Sequence, residues 1–183
     1  AVIPLETVRS IYEVPLVLNE RGLGDFVLDH FGIDAPARGD LSEWREIVHR
    51  LGSPGAPVEI AIVGKYVELH DAYLSVKESL THAGIANDVE FDVRWVHSED
   101  LESPAVEDVL AGVQGIVVPG GFGERGVEGK IQAATYARER GIPYLGLCLG
   151  LQVMVTEFAR NVCGMAGANS TEFDPETPYP VIS

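Results

Sequence analysis

Cations are scarce in this chain of 183 residues: 13 lysines and arginines stand against 28 aspartates and glutamates, for a formal net charge of −15. That balance argues against a nucleic-acid surface and for a soluble, self-repelling exterior. Long apolar runs are missing as well. None approaches the ~20 residues that a membrane-spanning helix needs, and Ala1–Leu5 is too short, and too soon followed by charge, to read as a secretory leader. Cysteine is nearly absent: Cys148 and Cys163 alone make no disulfide framework, which fits a reducing cytoplasm. Without a secretory context the Asn169-Ser170-Thr171 triplet means nothing as a glycosylation site. What remains, with 46% of residues hydrophobic, is enough for one α/β domain of ordinary size plus an appendage.

The most informative stretch runs from Gly141 to Gln152, Gly-Ile-Pro-Tyr-Leu-Gly-Leu-Cys-Leu-Gly-Leu-Gln. Ile142–Leu147 is a short apolar run that suits a strand buried on both faces, and Leu149–Arg160 then takes helical spacing. Between them Cys148 sits in Gly-x-Cys-x-Gly, flanked by Gly146 and Gly150. This is the cysteine form of the nucleophile elbow, a tight strand-to-helix turn that lifts one side chain above the sheet. A strained turn packed between strand and helix leaves little room for a Cβ at its flanks. A thiol at a helix N-terminus also feels the positive end of the dipole, which favours the reactive thiolate. A free cysteine is more often a small buried hydrophobe, but the paired glycines make Cys148 a candidate nucleophile.

Upstream, the pattern falls into two parts. Residues 1–52 lack regular strand-helix alternation. Ile11–Leu18, interrupted by Pro15, reads as extended rather than as a helix interior; Asp25–Phe31 reads as a short amphipathic helix ended by Gly32. Asp40 or Ser42 caps a second helix, Ser42–Leu51. Residues 53–57 belong to a Gly/Pro/Ser linker, and 58–183 alternate strand and helix. The spacing predicts strands at Val58–Val63, Val89–Val96 (near an edge), Gly115–Val118 and Ile142–Leu147, with helices at Tyr73–Ala83, Val106–Leu110, Val127–Arg140 and after the elbow. That order implies an α/β fold, a doubly wound and mostly parallel sheet with right-handed crossovers. Ligands then belong at the carboxyl ends of the strands, where Gly64-Lys65-Tyr66, Gly120-Gly121-Phe122 and Cys148 all fall.

Gly121-Phe-Gly-Glu-Arg-Gly126 satisfies G-x-G-x-x-G, but Cys148 holds the place where a ribose-binding acid should end the next strand. A phosphate loop fails too, because Gly129-Lys130 is followed by Ile131. Coupling this loop to the cysteine works better. Acyl transfer at a thiol needs two donors aimed at the developing oxyanion. The Leu149 backbone N–H offers one, and a Gly120-Gly121 loop on the neighbouring strand brings the second, assigned to the Gly121 N–H. Gly-Gly after proline is also, often enough, only a turn.

These motifs resemble a known family. Pro-Gly-Gly-Phe-Gly-x-Arg-Gly, Gly-Leu-Cys-Leu-Gly-Leu-Gln, Ala-Asn-Ser-Thr-Glu-Phe (168–173) and Gly-Lys-Tyr-Val-Glu-Leu-x-Asp-Ala-Tyr-Leu-Ser-Val (64–76) together look like the glutamine amidotransferase domain of CTP synthases. Ser-Ile-Tyr-Glu-Val-Pro (10–15) resembles the end of that family's synthetase domain. The resemblance implies the flavodoxin-like amidotransferase fold, truncated at its C-terminus, preceded by the end of the synthetase domain and a helical linker segment. It implies that glutamine is hydrolysed through a thioester on Cys148, and that the ammonia aminates UTP to CTP at a separate ATP- and Mg²⁺-dependent site. By motif, the L-glutamine ligands are Gly121, Leu149, Gly150, Leu151, Gln152 and Glu172. Glu172 would pair with the substrate ammonium, and Gln152 would bond its amide or carboxylate. GTP, the family's activator, would contact Phe122 and Arg125. No metal or other cofactor is expected in these residues, and the whole enzyme is expected to be a cytoplasmic homo-oligomer, a tetramer.

One element of the pattern is missing. A cysteine nucleophile needs a base, normally a histidine oriented by a carboxylate. The family's His-x-Glu pair lies far downstream of the cysteine, whereas His30, His49, His70, His82 and His97 all precede it. Two other readings therefore stay open: a non-catalytic module that binds glutamine or a partner, and another cysteine hydrolase of similar fold.

Overall fold

A computed structural model describes residues 2–34, 39–53 and 55–183. The chain divides into two compact units, Ala1–Gly55 and Ala56–Ser183. Among the described residues the first holds three α-helices: α1 (Val14–Glu20), α2 (Leu23–Phe31) and α3 (Ser42–Leu51). The expectation of an extended Ile11–Leu18 fails. A 3-10 turn at Ile11–Glu13 runs into α1, and Pro15 sits in its first turn, where the missing N–H would have had no helical partner anyway. Gly32 ends α2 in the left-handed conformation, as its position suggests. Asp40 holds the entrance of α3, its carboxylate accepting from the Ser42 amide (2.8 Å) and hydroxyl (2.9 Å). Trp44 on α3 donates to the Tyr12 carbonyl at 2.7 Å, fastening the helix to the segment before α1.

The second unit is built on a four-stranded parallel sheet in the order β2-β1-β3-β4, formed by β1 (Ala56–Gly64), β2 (Val89–His97), β3 (Gly115–Val118) and β4 (Tyr144–Gly146). The helices α4 (Leu74–Asn87), α5 (Val106–Val109), α6 (Val127–Arg140) and α7 (Leu149–Asn161) alternate with the strands. Successive residues of β1 point to opposite faces, and both faces are covered. Ala61 and Val63 join Ile116, Val118, Leu110 and the α6 residues Ala133, Tyr136 and Ala137 in one cluster. Ile60, Ile62 and Val117 pack on the other side with Val76 and Leu80 of α4. This two-sided cover explains why β1 and β3 read as continuous apolar runs.

The last of the four strands departs from expectation. Only Tyr144–Gly146 pairs, along the sheet edge next to β3, and Leu145 is 53% exposed. The apolar run at Ile142–Leu147 is thus not a strand buried on both faces. Tyr144 turns inward to the α6 cores, while Leu145 and Leu147 line an open groove with Val76, Leu80 and Val117. A small parallel pair, β5 (Asn169–Ser170) and β6 (Pro180–Ile182), escapes sequence reading because strands this short carry no periodicity.

Two polar contacts fix the scaffold under the strand ends. Glu157 of α7 is 2% exposed and accepts from Arg138 of α6 (2.9 Å) and from Asn161 (3.0 Å). Burial pushes its carboxyl upward, but the bonds from Arg138 and Asn161 together outweigh this and hold it below the ordinary value. Tyr73, at the end of the 3-10 turn His70–Tyr73, accepts from the Lys65 amide (3.0 Å) and the Tyr66 amide (3.2 Å) just beyond β1.

Arg138→Ala should lower stability by about 3 kcal/mol in urea unfolding, the low end of the effect of removing one partner of a buried pair, because Arg138 is itself partly solvated. A loss within ~0.5 kcal/mol would mean the pair stabilises nothing. Since the folded pKa of Glu157 is depressed, its contribution is complete above the ordinary carboxylate value of 4.5 and should fade as pH falls through the lower folded value. Tyr73→Phe removes the acceptor for two amides and should cost about 1–3 kcal/mol; an unchanged unfolding midpoint would show that water replaces the hydroxyl.

Candidate active site

The turn between β4 and α7 is set by backbone crowding. A Cβ on Gly146 would run into the Gly150 carbonyl group and lie 2.6 Å from the Leu151 nitrogen. A Cβ on Gly150 would strike the Val118 carbonyl group of the neighbouring strand. Strand end, helix start and β3 therefore meet through bare backbone, which only glycine permits. Tyr144 locks the junction by donating its hydroxyl to the Gly150 carbonyl at 3.0 Å, and its burial pushes the phenol pKa well up.

The strain of this turn is carried by Cys148, at φ 53° and ψ −110°, where a residue with a Cβ is rarely found. Such a conformation costs of order 1–3 kcal/mol and persists only where its surroundings impose it. The result is an exposed thiol at the N-cap of α7. Its carbonyl is kept inside the turn by the Leu151 (3.0 Å) and Gln152 (3.2 Å) amides.

The Gly120–Gly121 loop after β3 faces this sulfur. A Cβ on Gly120 would lie 3.3 Å from the Cys148 Cβ and 3.9 Å from its Sγ. One on Gly121 would lie 3.8 Å from the Leu149 Cδ2. Leu149 opens α7, so its amide has no acceptor within the helix. Cys148 and both expected donor residues thus share one corner of the rim. Gly150 is buried in the turn, Leu151 is exposed, and Gln152 is half-buried in the first turn of α7. Glu172 is exposed on the loop after β5, and its amide donates to the Ser170 hydroxyl at 3.2 Å. The neighbouring Phe173 packs against the Val127, Ile131, Leu149 and Val153 cluster, which ties that loop to the base of the elbow.

Phe122 is 85% exposed, and its carbonyl accepts from the Lys65 ammonium at 3.0 Å. Arg125 pairs with Glu99 at 3.2 Å, and Glu99 also approaches the His97 Nδ1 (3.6 Å). Arg125 is therefore already engaged by a carboxylate. Among the described residues no histidine hydrogen-bonds to Cys148, and no His/Cys/Asp/Glu group could hold a metal ion. His70 follows the Gly64-Lys65-Tyr66 segment of the rim, and its side chain lies outside the described residues.

Sequence reasoning placed Lys65 at the rim without a role and missed two residues here, Lys130 and Tyr144. Lys130, in the first turn of α6, is 2% exposed, and its Nζ would be 3.5 Å from a Cβ on Gly121. Burial, followed by repulsion from Lys65, pushes its pKa below that of an ordinary lysine. The only sequence signal was negative: a lysine on the inward face of an otherwise apolar helix stripe.

Comparison with known proteins agrees with this geometry. The family model "Glutamine amidotransferase class-I" matches residues 68–174. The chain is 62% identical over 182 residues, its whole length, to a CTP synthase of Thermomicrobium roseum, and 57% identical over 182 residues to one of Desulfitobacterium hafniense. It spans about a third of those relatives, 33% and 34% of their lengths. A solved Trypanosoma brucei CTPS glutaminase domain with bound acivicin superposes on 67% of the chain, and 48% of that domain's own length, with TM-score 0.63 and 48% identity. An α/β sheet with a glycine-cornered cysteine at its rim, and a family match across that rim, place this chain in the class-I glutamine amidotransferase family.

Proposed function

We propose that the chain is the glutamine-cleaving part of a CTP synthase, and that Cys148 is its nucleophile. The observation that carries this reading is the exposed, strained Cys148 beside the Gly120–Gly121 loop at the start of α7. The thiolate would attack the side-chain amide carbon of L-glutamine. Negative charge would collect on the former carbonyl oxygen, held by the Gly121 and Leu149 amides, each donor typically accounting for about 3 kcal/mol of barrier. Collapse would break the C–N bond, with a proton delivered to the departing ammonia, and leave a glutamyl thioester on Cys148. Water would then release glutamate and regenerate the thiol.

Around the reacting carbon, Glu172 would receive the substrate ammonium and Gln152 its polar end, with Gly150 and Leu151 forming the wall. The base that takes the thiol proton would be a histidine oriented by a carboxylate, the His-x-Glu pair that the family resemblance implies. The ammonia would go to a synthetase domain that uses ATP, Mg²⁺ and UTP, in a cytoplasmic tetramer, with residues 1–52 as the end of that domain and 53–57 as the linker. Phe122 would supply a stacking surface for GTP. Arg125 would reach its phosphates only after leaving Glu99.

A glutamine analogue with an electrophilic carbon in place of the side-chain amide should label Cys148 but not Cys163. L-glutamine should slow the labelling and D-glutamine should not. Equal labelling of both cysteines, or no protection, would overturn the reading, since both thiols are exposed. The 183-residue chain alone should release little or no ammonia from glutamine; turnover near that of an ordinary glutaminase would show that the base lies within it.

A further inference from the structure

Two ammonium groups flank the loop that faces Cys148. Lys130 lies beneath Gly121, and the Lys65 Nζ holds the Phe122 carbonyl, 3.6 Å from where a Gly123 Cβ would be. Lys130 is the unusual one. The residue is only 2% exposed and, among the described residues, its ammonium has no hydrogen bond or ion pair, although the nitrogen at its tip is not fully sealed from solvent. Its neighbours make matters worse, since Lys65 has the same sign and the N-terminal end of α6 disfavours a cation. The other buried charge of the second unit, Glu157, is fully served by Arg138 and Asn161. A charge held at low exposure without a partner is destabilising, and departures of that kind are expected at functional sites.

Charge of that sign is what the chemistry above demands. The oxyanion forms over Cys148, between the Leu149 and Gly121 amides, and Gly121 is the residue whose missing Cβ lets the ammonium approach the loop. We propose that Lys130 is an electrostatic positioning residue of this site: acting through the Gly121 peptide, its ammonium makes the space above Cys148 electropositive, suited to a small oxyanion or carboxylate. The proposal rests on Cys148 being the glutaminase nucleophile. It adds that the corner is tuned for negative charge by a residue that does not touch the substrate.

The test compares alkylation of Cys148 by iodoacetate, an anion, and by iodoacetamide, its neutral counterpart. Both reagents need the same thiolate, so the ratio of their rates cancels its abundance and reports local potential. In the 183-residue chain the ratio at Cys148 should exceed that at Cys163, despite the net charge of −15. Lys130→Met should lower the Cys148 ratio about fivefold or more, while Lys130→Arg should keep it within about twofold of wild type. Lys130→Met should also raise Tm, because burial of an unpaired charge is relieved. A folded Lys130→Met chain with the wild-type ratio would overturn the proposal. Should that variant fail to fold, equal ratios at Cys148 and Cys163 in the wild type would overturn it as well. Failure of the parent reading looks different: the glutamine analogue would not label Cys148 selectively, yet the anion preference would remain.

Discussion

Three stretches of backbone meet without side chains between them at the corner of the sheet: the end of β4 at Gly146, the start of α7 at Gly150, and the Val118 carbonyl of β3. Because no Cβ separates them, the chain must turn within two residues, and Cys148 absorbs the turn by taking a left-handed φ. The strain of that residue is held by contacts spread over a wide area. The Tyr144 hydroxyl grips the Gly150 carbonyl, Leu149 and Val153 bury against α6, and the Arg138–Glu157 pair binds α6 to α7. A turn that strained on an isolated segment would relax. Here relaxing it would pull α7 out of a packed core.

The second consequence is electrostatic. The chain is strongly acidic overall, yet the rim beside Cys148 carries Lys65, Lys130 and two helix N-termini, of α6 and α7. Amide hydrogens and ammonium groups are thereby gathered where, in the proposed reaction, a thiol would become negative and an amide oxygen would follow it. The surrounding acidity, being exposed, is screened over about 10 Å in ordinary salt; the buried lysine is screened much less. Net charge and site potential can therefore have opposite signs in one small domain.

Much of this was legible in the residues. The strands β1 and β3 follow directly from apolar runs, since a parallel sheet covered on both faces needs near-continuous hydrophobicity, while β2 follows from its alternation as an edge strand and α6 from helical spacing. Gly-x-Cys-x-Gly marked the elbow because the glycines exist for the close approach itself. The reading failed where tertiary context decides. Pro15 looked like a helix breaker and sits harmlessly in a first turn. Ile142–Leu147 looked fully buried, but lies at a sheet edge with Leu145 in the open. Lys130 gave no motif at all: its meaning comes from burial beneath Gly121, a relation across the fold that no local spacing encodes.

The central claim is that Cys148 forms a covalent bond to the carbon skeleton of glutamine. Acid quenching of the chain joined to a segment that supplies the His-x-Glu pair, after exposure to L-glutamine labelled with ¹³C in the skeleton and ¹⁵N in the side-chain amide, followed by peptide mass analysis, tests it directly. The account predicts a glutamyl group on the Cys148 peptide that carries the ¹³C and has lost the ¹⁵N. An unmodified Cys148 after prolonged exposure, or an adduct that still contains the amide nitrogen, would contradict it.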